Sequence, residues 1–191
     1  MATFDILVKG GTLPDGTVKD IGITGGLIAA MGDLSGSEAG EVIDATGDLV
    51  APPFVDPHFH MDATLSYGTP RINASGTLLE GIALWGELKR EATVDEMVDR
   101  ALAYCDWAVS MGLLAVRSHV DTCDDSLKGV EALLHVREAV KPYLDLQLVA
   151  FPQDGFYRDP TARANTIRAL DMGVDVVGGI PHFERTMADG A

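Results

Sequence analysis

After residue 53 the chain alternates short apolar segments with segments of helical periodicity, and this alternation is the strongest constraint on its fold. Residues 54–60, 113–118, 144–151 and 174–180 are predicted strands, rich in branched and aliphatic side chains. The last three begin about thirty residues apart, which is the length of one strand-helix-strand unit. Such spacing predicts a parallel sheet with right-handed crossovers. The periodicity leaves open whether that sheet is doubly wound or closed into a barrel.

Helical segments separate the last three of these strands and lead up to them. Thr93-Val94-Asp95-Glu96 has the form of a capping box, and apolar residues then recur at helical spacing up to Gly112. Two further helical patterns lie between residues 125 and 142 and between residues 161 and 173, each ended by proline or glycine. The predicted order is therefore a series of repeated strand-helix units.

The first 52 residues have a different pattern, in which short strands are separated by glycine-rich turns. Phe4, Ile6 and Val8 stand at alternate positions, and Gly25-Gly26 has the form of a two-residue hairpin loop. We expect a small antiparallel β-sheet unit, too slight to be stable without packing on something else. Pro52-Pro53 marks a boundary, because prolines restrict the backbone and remove donors. We therefore divide the chain into residues 1–52 and 53–191.

Charge and hydropathy narrow the range of partners and compartments. Twenty-nine acidic and fourteen basic residues give a net charge of −15, which repels polyphosphates and anionic membrane surfaces. The opening residues do not resemble a signal peptide, and no run reaches the roughly 18 apolar residues of a membrane span. Cys105 and Cys123 belong to no C-x-x-C pair or disulfide framework, and we expect two reduced thiols. The prediction is a cytoplasmic protein that binds neither nucleic acid polymers nor membranes.

The most informative motif is Phe54-Val55-Asp56-Pro57-His58-Phe59-His60-Met61-Asp62, on the first strand of the series. Alternate residues of a strand share a face, so His58 and His60 project to the same side. Two imidazoles there can bind one divalent cation, although a typical zinc site needs three or four ligands. For an arbitrary H-x-H the alternative is two unrelated surface histidines. The position of this motif at the end of the first strand favours a metal site, because active sites of β/α barrels lie at the C-terminal ends of the strands.

Five blocks in order along the chain resemble amidohydrolases of the cytosine deaminase group. They are residues 52–62, 75–82, 116–121, 144–155 and 173–184, and the resemblance extends over essentially the whole chain. It implies an α/β fold: the first half, about four strand-helix units, of a (β/α)8 TIM-type barrel. The small sheet before it would belong to a composite β-sandwich. An eight-stranded barrel takes about 250 residues, so we expect a missing C-terminal half, in the same polypeptide or a second chain.

The resemblance also implies roles for single residues. His58 and His60 fall on two first-strand ligands of one divalent metal ion, iron or zinc. Gln153 falls on the glutamine that reads the pyrimidine ring, for which its amide offers one acceptor and two donors; an ordinary loop amide is the alternative. Leu78, in the loop after the first strand, is expected to contact the substrate through its backbone.

Three further polar residues are weaker candidates for the surroundings of the metal ligands. His119 and Asp121 share a face of the second strand, and His182 is expected at the end of the fourth. Paired polar groups that fill the barrel interior are the alternative for His119 and Asp121. No catalytic acid or base is expected in this chain, because the matching family residues would lie in the C-terminal half.

The activity that the resemblance implies is metal-dependent hydrolytic deamination of cytosine or a closely related amino-substituted pyrimidine. Metal-bound water would supply the hydroxide that attacks the ring carbon, and ammonia would leave. Aminohydrolysis of a triazine, isocytosine or another cyclic amidine is the alternative within the group. An inactive fragment or a metal- or pyrimidine-binding scaffold is the alternative of another class. The expected partners are a small heterocyclic substrate, the C-terminal half and further copies in a homo-oligomer.

Overall fold

Four short strands build the N-terminal unit, Met1–Pro52, of a computed structural model that describes residues 3–191. They are β1 (Thr3–Thr12), β2 (Val18–Thr24), β3 (Leu27–Gly32) and β4 (Glu38–Asp44), and they pair in the order β3-β2-β1-β4. Gly25 and Gly26, with φ values of 60° and 77°, form the predicted two-residue turn between β2 and β3. Glycine suits this turn because it adopts positive φ without steric cost.

The prediction that this sheet is wholly antiparallel was wrong for one strand pair. β1 and β2 are antiparallel, as are β2 and β3, but β4 pairs with β1 in the parallel direction, with Ile6 opposite Glu41. After β3 the chain crosses to the free edge of β1 and enters the sheet in the direction of β1. The alternation of apolar residues records only which face a side chain takes, so it does not reveal the direction of a strand.

The C-terminal unit, Pro53–Ala191, is a parallel sheet with helices between its strands. Each strand pairs with the next one along the chain and runs parallel to it. An uninterrupted order of this kind belongs to a β/α barrel, whereas a doubly wound sheet reverses its order at a switch point. The elements are β5 (Phe54–Phe59), α1 (Leu78–Glu91), α2 (Val94–Ser110), β6 (Leu113–Asp121), α3 (Lys128–Val140), β7 (Asp145–Phe151), α4 (Ala162–Asp171) and β8 (Val176–Val177).

Two elements of this unit differ from the sequence prediction. Leu78 is the first residue of α1 and does not lie in a loop; Thr77 caps the helix by accepting a hydrogen bond from the Glu80 N–H at 3.3 Å. The fourth strand is limited to Val176–Val177 instead of residues 174–180. Two glycines follow it, and Pro181, which lacks an N–H, then begins a 3-10 helix.

The core lies between one face of the sheet and helices α2 and α3. On β6, Val116, Ser118 and Val120 are buried on this side, whereas Arg117 between them is exposed on the opposite face. Leu133 of α3 is also fully buried in this core. Within the described residues, no helix is both long and apolar enough to cross a bilayer. The packing fixes which ends of β5, β6 and β7 are adjacent, and the candidate site forms at their C-terminal ends.

Both cysteines are free, and burial makes both thiols poor nucleophiles. Burial, with a smaller contribution from the charge of Asp106, raises the pKa of Cys105 to about 11, and burial followed by the charge of Asp121 raises that of Cys123 to about 12. Because the thiolate is the reactive form, we expect iodoacetamide at pH 8 to alkylate both about 100-fold more slowly in native protein than in urea. Mass spectrometry of timed samples measures this, and equal rates in both conditions would contradict it.

Candidate metal and substrate site

Three imidazoles lie together at the C-terminal ends of β5 and β6. His58 is the second-last residue of β5, and His60 directly follows the strand. The ring centroids of His58 and His60 are 5.3 Å apart at an interplanar angle of 70°. His119 of β6 adds a third ring, 4.0 Å from His58 and 5.7 Å from His60. Phe151, at the end of β7, packs edge-on against His60 and His119, with both centroid distances 5.4 Å. The two histidines of the motif are thus brought together with a third.

The chemistry of these rings fits a divalent cation. Burial, followed by the neighbouring imidazoles, lowers the pKa of His60 to about 4, so its ring is neutral at pH 7 and keeps a lone pair to donate. Burial also lowers the pKa of His119. The Nδ1 atom of His119 is buried and has no hydrogen-bond partner in the structure. A buried polar atom without a partner is rare and calls for a missing ligand or water.

Hydrogen bonds fix the segment that follows His60 to the neighbouring strand. The Met61 N–H donates to the Ser118 hydroxyl at 3.0 Å, and the Asp121 N–H donates to the Asp62 carboxylate at 2.9 Å. Asp62 is only 1% exposed, and burial raises its pKa to about 7 although backbone hydrogen bonds oppose the shift. Sequence reasoning missed Asp62, although it stands two residues after His60 in the same motif.

Asp121 holds helix α1 and forms no hydrogen bond to any of the three imidazoles. Its Oδ2 atom accepts from Trp85 Nε1 at 2.8 Å and from Lys89 Nζ at 2.7 Å. Its Oδ1 atom accepts from the Cys123 N–H at 2.7 Å. Lys89 and Asp121 are both buried. This carboxylate therefore positions α1 and, through it, the start of the helix at Leu78.

Gln153 and His60 line the same cavity. The cavity has a volume of about 160 Å³, and Leu78 and Trp85 contribute to its wall. Gln153 is only 9% exposed, yet none of the hydrogen bonds among residues 3–191 involves its side-chain amide. The structure thus brings together His60, Leu78 and Gln153 around a space that a small heterocycle could enter. An amide left without a protein partner beside it is suited to bind such a ligand.

His182 does not join the imidazole cluster. Its predicted position was the end of the fourth strand, but it lies in the 3-10 helix Pro181–Phe183, several residues beyond the end of β8. The side chain is exposed, and its ring pairs with that of Phe183 at a centroid distance of 6.3 Å. The short strand β8 explains the difference, because a side chain on the turn no longer follows the alternation of the strand.

A second group of potential metal ligands lies beside α1. Within residues 3–191, Cys123, Asp154 and Asp159 have donor atoms that all lie within 4.8 Å of one another. Lys89 Nζ is 3.4 Å from Asp154, and its positive charge opposes cation binding. Asp159 is already occupied as an acceptor from the Thr161 N–H at 2.8 Å. The high pKa of the Cys123 thiol also disfavours the thiolate that a metal would need.

Comparison with known proteins supports a relationship over nearly the whole chain. Residues 41–189 match the model of the Amidohydrolase family. The structure of 5-methylcytosine deaminase from Klebsiella pneumoniae, liganded with phosphonocytosine, superposes with a TM-score of 0.87 at 39% identity, over 96% of this chain and 46% of that one. N-isopropylammelide isopropylaminohydrolase from Burkholderia multivorans superposes with a TM-score of 0.72 at 26% identity, over 91% of this chain and 44% of that one.

A curated relative gives the same picture at the level of sequence. N-isopropylammelide isopropyl amidohydrolase from Pseudomonas sp. (strain ADP) is 35% identical in an alignment of 185 residues, and the match covers 93% of this chain and 45% of the relative. The chain therefore spans less than half the length of these relatives. The predicted resemblance to amidohydrolases and the predicted barrel-type fold are confirmed. By its family match and its structural neighbours, the chain belongs to the amidohydrolase family.

Proposed function

We propose that these residues form part of an enzyme that hydrolytically deaminates cytosine or a closely related amino-substituted pyrimidine. The observation that carries this proposal is the side-chain amide of Gln153. This residue is only 9% exposed, its amide has no hydrogen-bond partner among residues 3–191, and it lines the same cavity as His60. An amide can donate to a ring nitrogen or carbonyl and accept from a ring N–H, so it suits the edge of a pyrimidine. The structural neighbour liganded with phosphonocytosine is named as a deaminase of 5-methylcytosine, which supports the same substrate class.

We propose that His58 and His60 hold one divalent metal ion, iron or zinc, together with ligands outside this chain. Such an ion, when bound, lowers the pKa of a water molecule and supplies hydroxide near neutral pH. Imidazole suits both metals, and the neutral His60 ring can donate its lone pair at once. The His119 ring, tilted by 31° with its centroid 4.0 Å away, restricts the rotation of His58 and so maintains its orientation.

The remaining residues of the cavity would bind the substrate and keep water out. Gln153 would fix the orientation of the ring, and Leu78 would offer its backbone N–H, which has no partner within α1 because it belongs to the first turn. Trp85 forms an apolar part of the wall and is held there by its bond to Asp121. The groups that transfer protons to and from the ring would come from the C-terminal half.

We propose that further strands, in the same polypeptide or in a second chain, complete the barrel around this site. Val55 is 63% exposed and Val177 is 61% exposed on the first and last strands of the sheet. Apolar side chains at unpaired sheet edges favour pairing with further strands. The structural neighbours are more than twice as long as the part that this chain covers. Association of completed barrels into a homo-oligomer remains part of the proposal.

Aminohydrolysis of a triazine or another cyclic amidine is the second candidate. It is favoured by the identity of 35% with N-isopropylammelide isopropyl amidohydrolase over 93% of this chain. A panel of cytosine, 5-methylcytosine, isocytosine, creatinine, aminotriazines and N-isopropylammelide, assayed for ammonia or amine release by the completed barrel, distinguishes the two. No release from any member would leave only an inactive fragment or a metal- or pyrimidine-binding scaffold.

The role of Gln153 can be tested by replacing it with leucine, which has a similar size but no amide. We expect Gln153→Leu to raise the KM of the preferred heterocycle about tenfold or more, because a ring group in the closed site would lose its hydrogen-bond partner. Metal content should not change. Gln147→Leu is a matched control, since Gln147 lies on β7 and accepts from Arg117 Nε at 2.6 Å, away from the cavity. An unchanged KM for every substrate would remove Gln153 from the site.

A further inference from the structure

A carboxylate outside the site described above holds the loop that carries Gln153. Glu184 follows the 3-10 helix Pro181–Phe183, and its side chain accepts hydrogen bonds from three consecutive backbone N–H groups. These belong to Phe156, to Tyr157 at 3.2 Å and to Arg158 at 3.0 Å. Consecutive N–H groups that converge in this way form a concave anion-binding site, here filled by the protein's own carboxylate.

A second set of contacts joins the same two segments, and here a side chain of the loop after β7 reaches to the segment after β8. The guanidinium of Arg158 lies over the ring of Phe183, 5.0 Å from its centroid, and Arg158 Nη1 donates to the Phe183 carbonyl at 3.3 Å. A cation over an aromatic face is itself attractive. The loop after β7 and the segment after β8 are thus held to each other by two residues, one from each side.

Gly155 allows the loop to approach Glu184 this closely. Its φ of +100° is one that other residues rarely adopt, and a Cβ atom there would lie 3.1 Å from Glu184 Oε2 and 2.9 Å from Arg158 Cβ. The Gly155 N–H donates to the Pro152 carbonyl at 2.9 Å and closes a turn with Gln153 inside it. Residues 156–158, which Glu184 holds, therefore begin directly after the turn that presents Gln153.

Between Gln153 and the residues that Glu184 holds, two weaker contacts restrain Asp154. Its N–H donates to Cys123 Sγ at 3.4 Å, and its carboxylate lies 3.4 Å from Lys89 Nζ. The Gln153 side chain has no hydrogen bond of its own to residues 3–191, so the direction of its amide depends on the backbone that carries it. Glu184 supplies the largest number of hydrogen bonds to that backbone after the turn.

We infer that Glu184 is a positioning residue, which presets the Gln153 amide towards the cavity shared with His60 by holding residues 156–158. The inference rests on the proposed function, since it assigns Gln153 to the substrate. Preorganisation of this kind lowers the cost of ordering a loop when a ligand binds. Its effect should therefore be on substrate affinity, transmitted through Gln153.

Hydrogen exchange tests, without any assay of activity, whether Glu184 holds residues 156–158. In this chain, Glu184→Ala is expected to speed exchange at the amides of residues 156–158 about tenfold or more, because charge-assisted hydrogen bonds protect them. The faster exchange should extend to the Gly155 amide. The amides of β7 should keep their protection, which shows that the fold is intact. Glu138→Ala, which removes an exposed carboxylate that lies 3.4 Å from Lys141, is the control for the change in charge. Unchanged exchange at residues 155–158 would overturn the inference.

A double-mutant cycle tests the connection to Gln153 in the completed barrel. We expect Glu184→Ala to raise KM about tenfold while kcat changes less than about threefold, and Glu184→Gln, which keeps one accepting oxygen, to recover part of the loss. In a Gln153→Leu background the same change should have little further effect. Equal effects in both backgrounds would overturn the inference. If the unmutated enzyme acts on no heterocycle, the proposed function fails, whereas the exchange experiment still decides whether Glu184 holds the loop.

Discussion

Replacing His58 and His60 together by alanine is expected to lower the affinity for zinc or iron by at least about 100-fold and to abolish amine release by the completed barrel. Loss of residues that merely support metal ligands costs about 10- to 100-fold in affinity, so loss of two ligands should cost more. Of the three clustered imidazoles only His119 would remain, and one imidazole cannot replace the two ligands that the site would lose, since a typical catalytic site has three protein ligands.

The measurement is metal content after dialysis, by mass spectrometry, beside a thermal melt with and without added metal. The wild-type protein should retain metal and melt at a higher temperature when metal is added, since a ligand that binds only the folded state stabilises it. His135→Ala is the matched control, because His135 is exposed on α3. Equal metal retention by the double variant and the wild type would remove His58 and His60 from the site.

Replacing Lys89 by methionine is expected to lower the free energy of unfolding by about 3–5 kcal/mol, the usual cost of leaving a buried charge unpaired. Lys89 and Asp121 have side chains that are 10% and 2% exposed, and their charged atoms lie 2.7 Å apart. Methionine preserves most of the aliphatic volume, so the loss reports the missing charge and hydrogen bonds. Asp121 would keep its bonds from Trp85 and from the Cys123 N–H but would lose its counter-ion.

Urea denaturation of both proteins measures this difference, and Lys141→Met is the control. Lys141 pairs with Glu138 at 3.4 Å, but the two side chains are 72% and 64% exposed, so this pair should contribute less than about 1 kcal/mol. A loss in Lys89→Met no larger than in Lys141→Met would contradict the account.

The pH dependence of the Lys89 contribution follows from the direction of its pKa shift. Burial alone would lower the pKa of Lys89, but the charge of Asp121 and its hydrogen bond outweigh burial and raise it above 10.5. A raised pKa means that the stabilisation is complete below the unfolded value and is lost only as pH rises through the folded one. The difference between wild type and Lys89→Met should therefore stay constant from pH 6 to pH 9.

Local patterns predicted the parts of the fold that depend on neighbours in sequence. The capping box at Thr93 and Glu96 is present with both of its hydrogen bonds, and the turn at Gly25 and Gly26 lies where the pattern placed it. The parallel pairing of β4 with β1 was not predictable, because it depends on the path of the chain between them. Helix α1 was missed because Gly81 and Gly86 lie inside it, and glycine is a poor helix former.

The site shows the same division between local and distant information. The motif around His58 and His60 is visible in the sequence, because the two rings are only two residues apart, at the end of one strand. The bonds that join Asp121 to Lys89 and Glu184 to Phe156 connect residues 32 and 28 positions apart. Neither pair forms a pattern with a period, so only the folded backbone brings them together. Asp121 was placed on the correct strand, but its position there did not reveal that it binds α1.

The most direct measurement is anomalous diffraction at the metal absorption edge, from crystals of the completed barrel grown with zinc or iron. The proposed site predicts one strong peak within coordination distance, about 2.0–2.1 Å for zinc, of a nitrogen of His58 and a nitrogen of His60. A peak instead between Cys123, Asp154 and Asp159, or no peak beside either histidine, would contradict it.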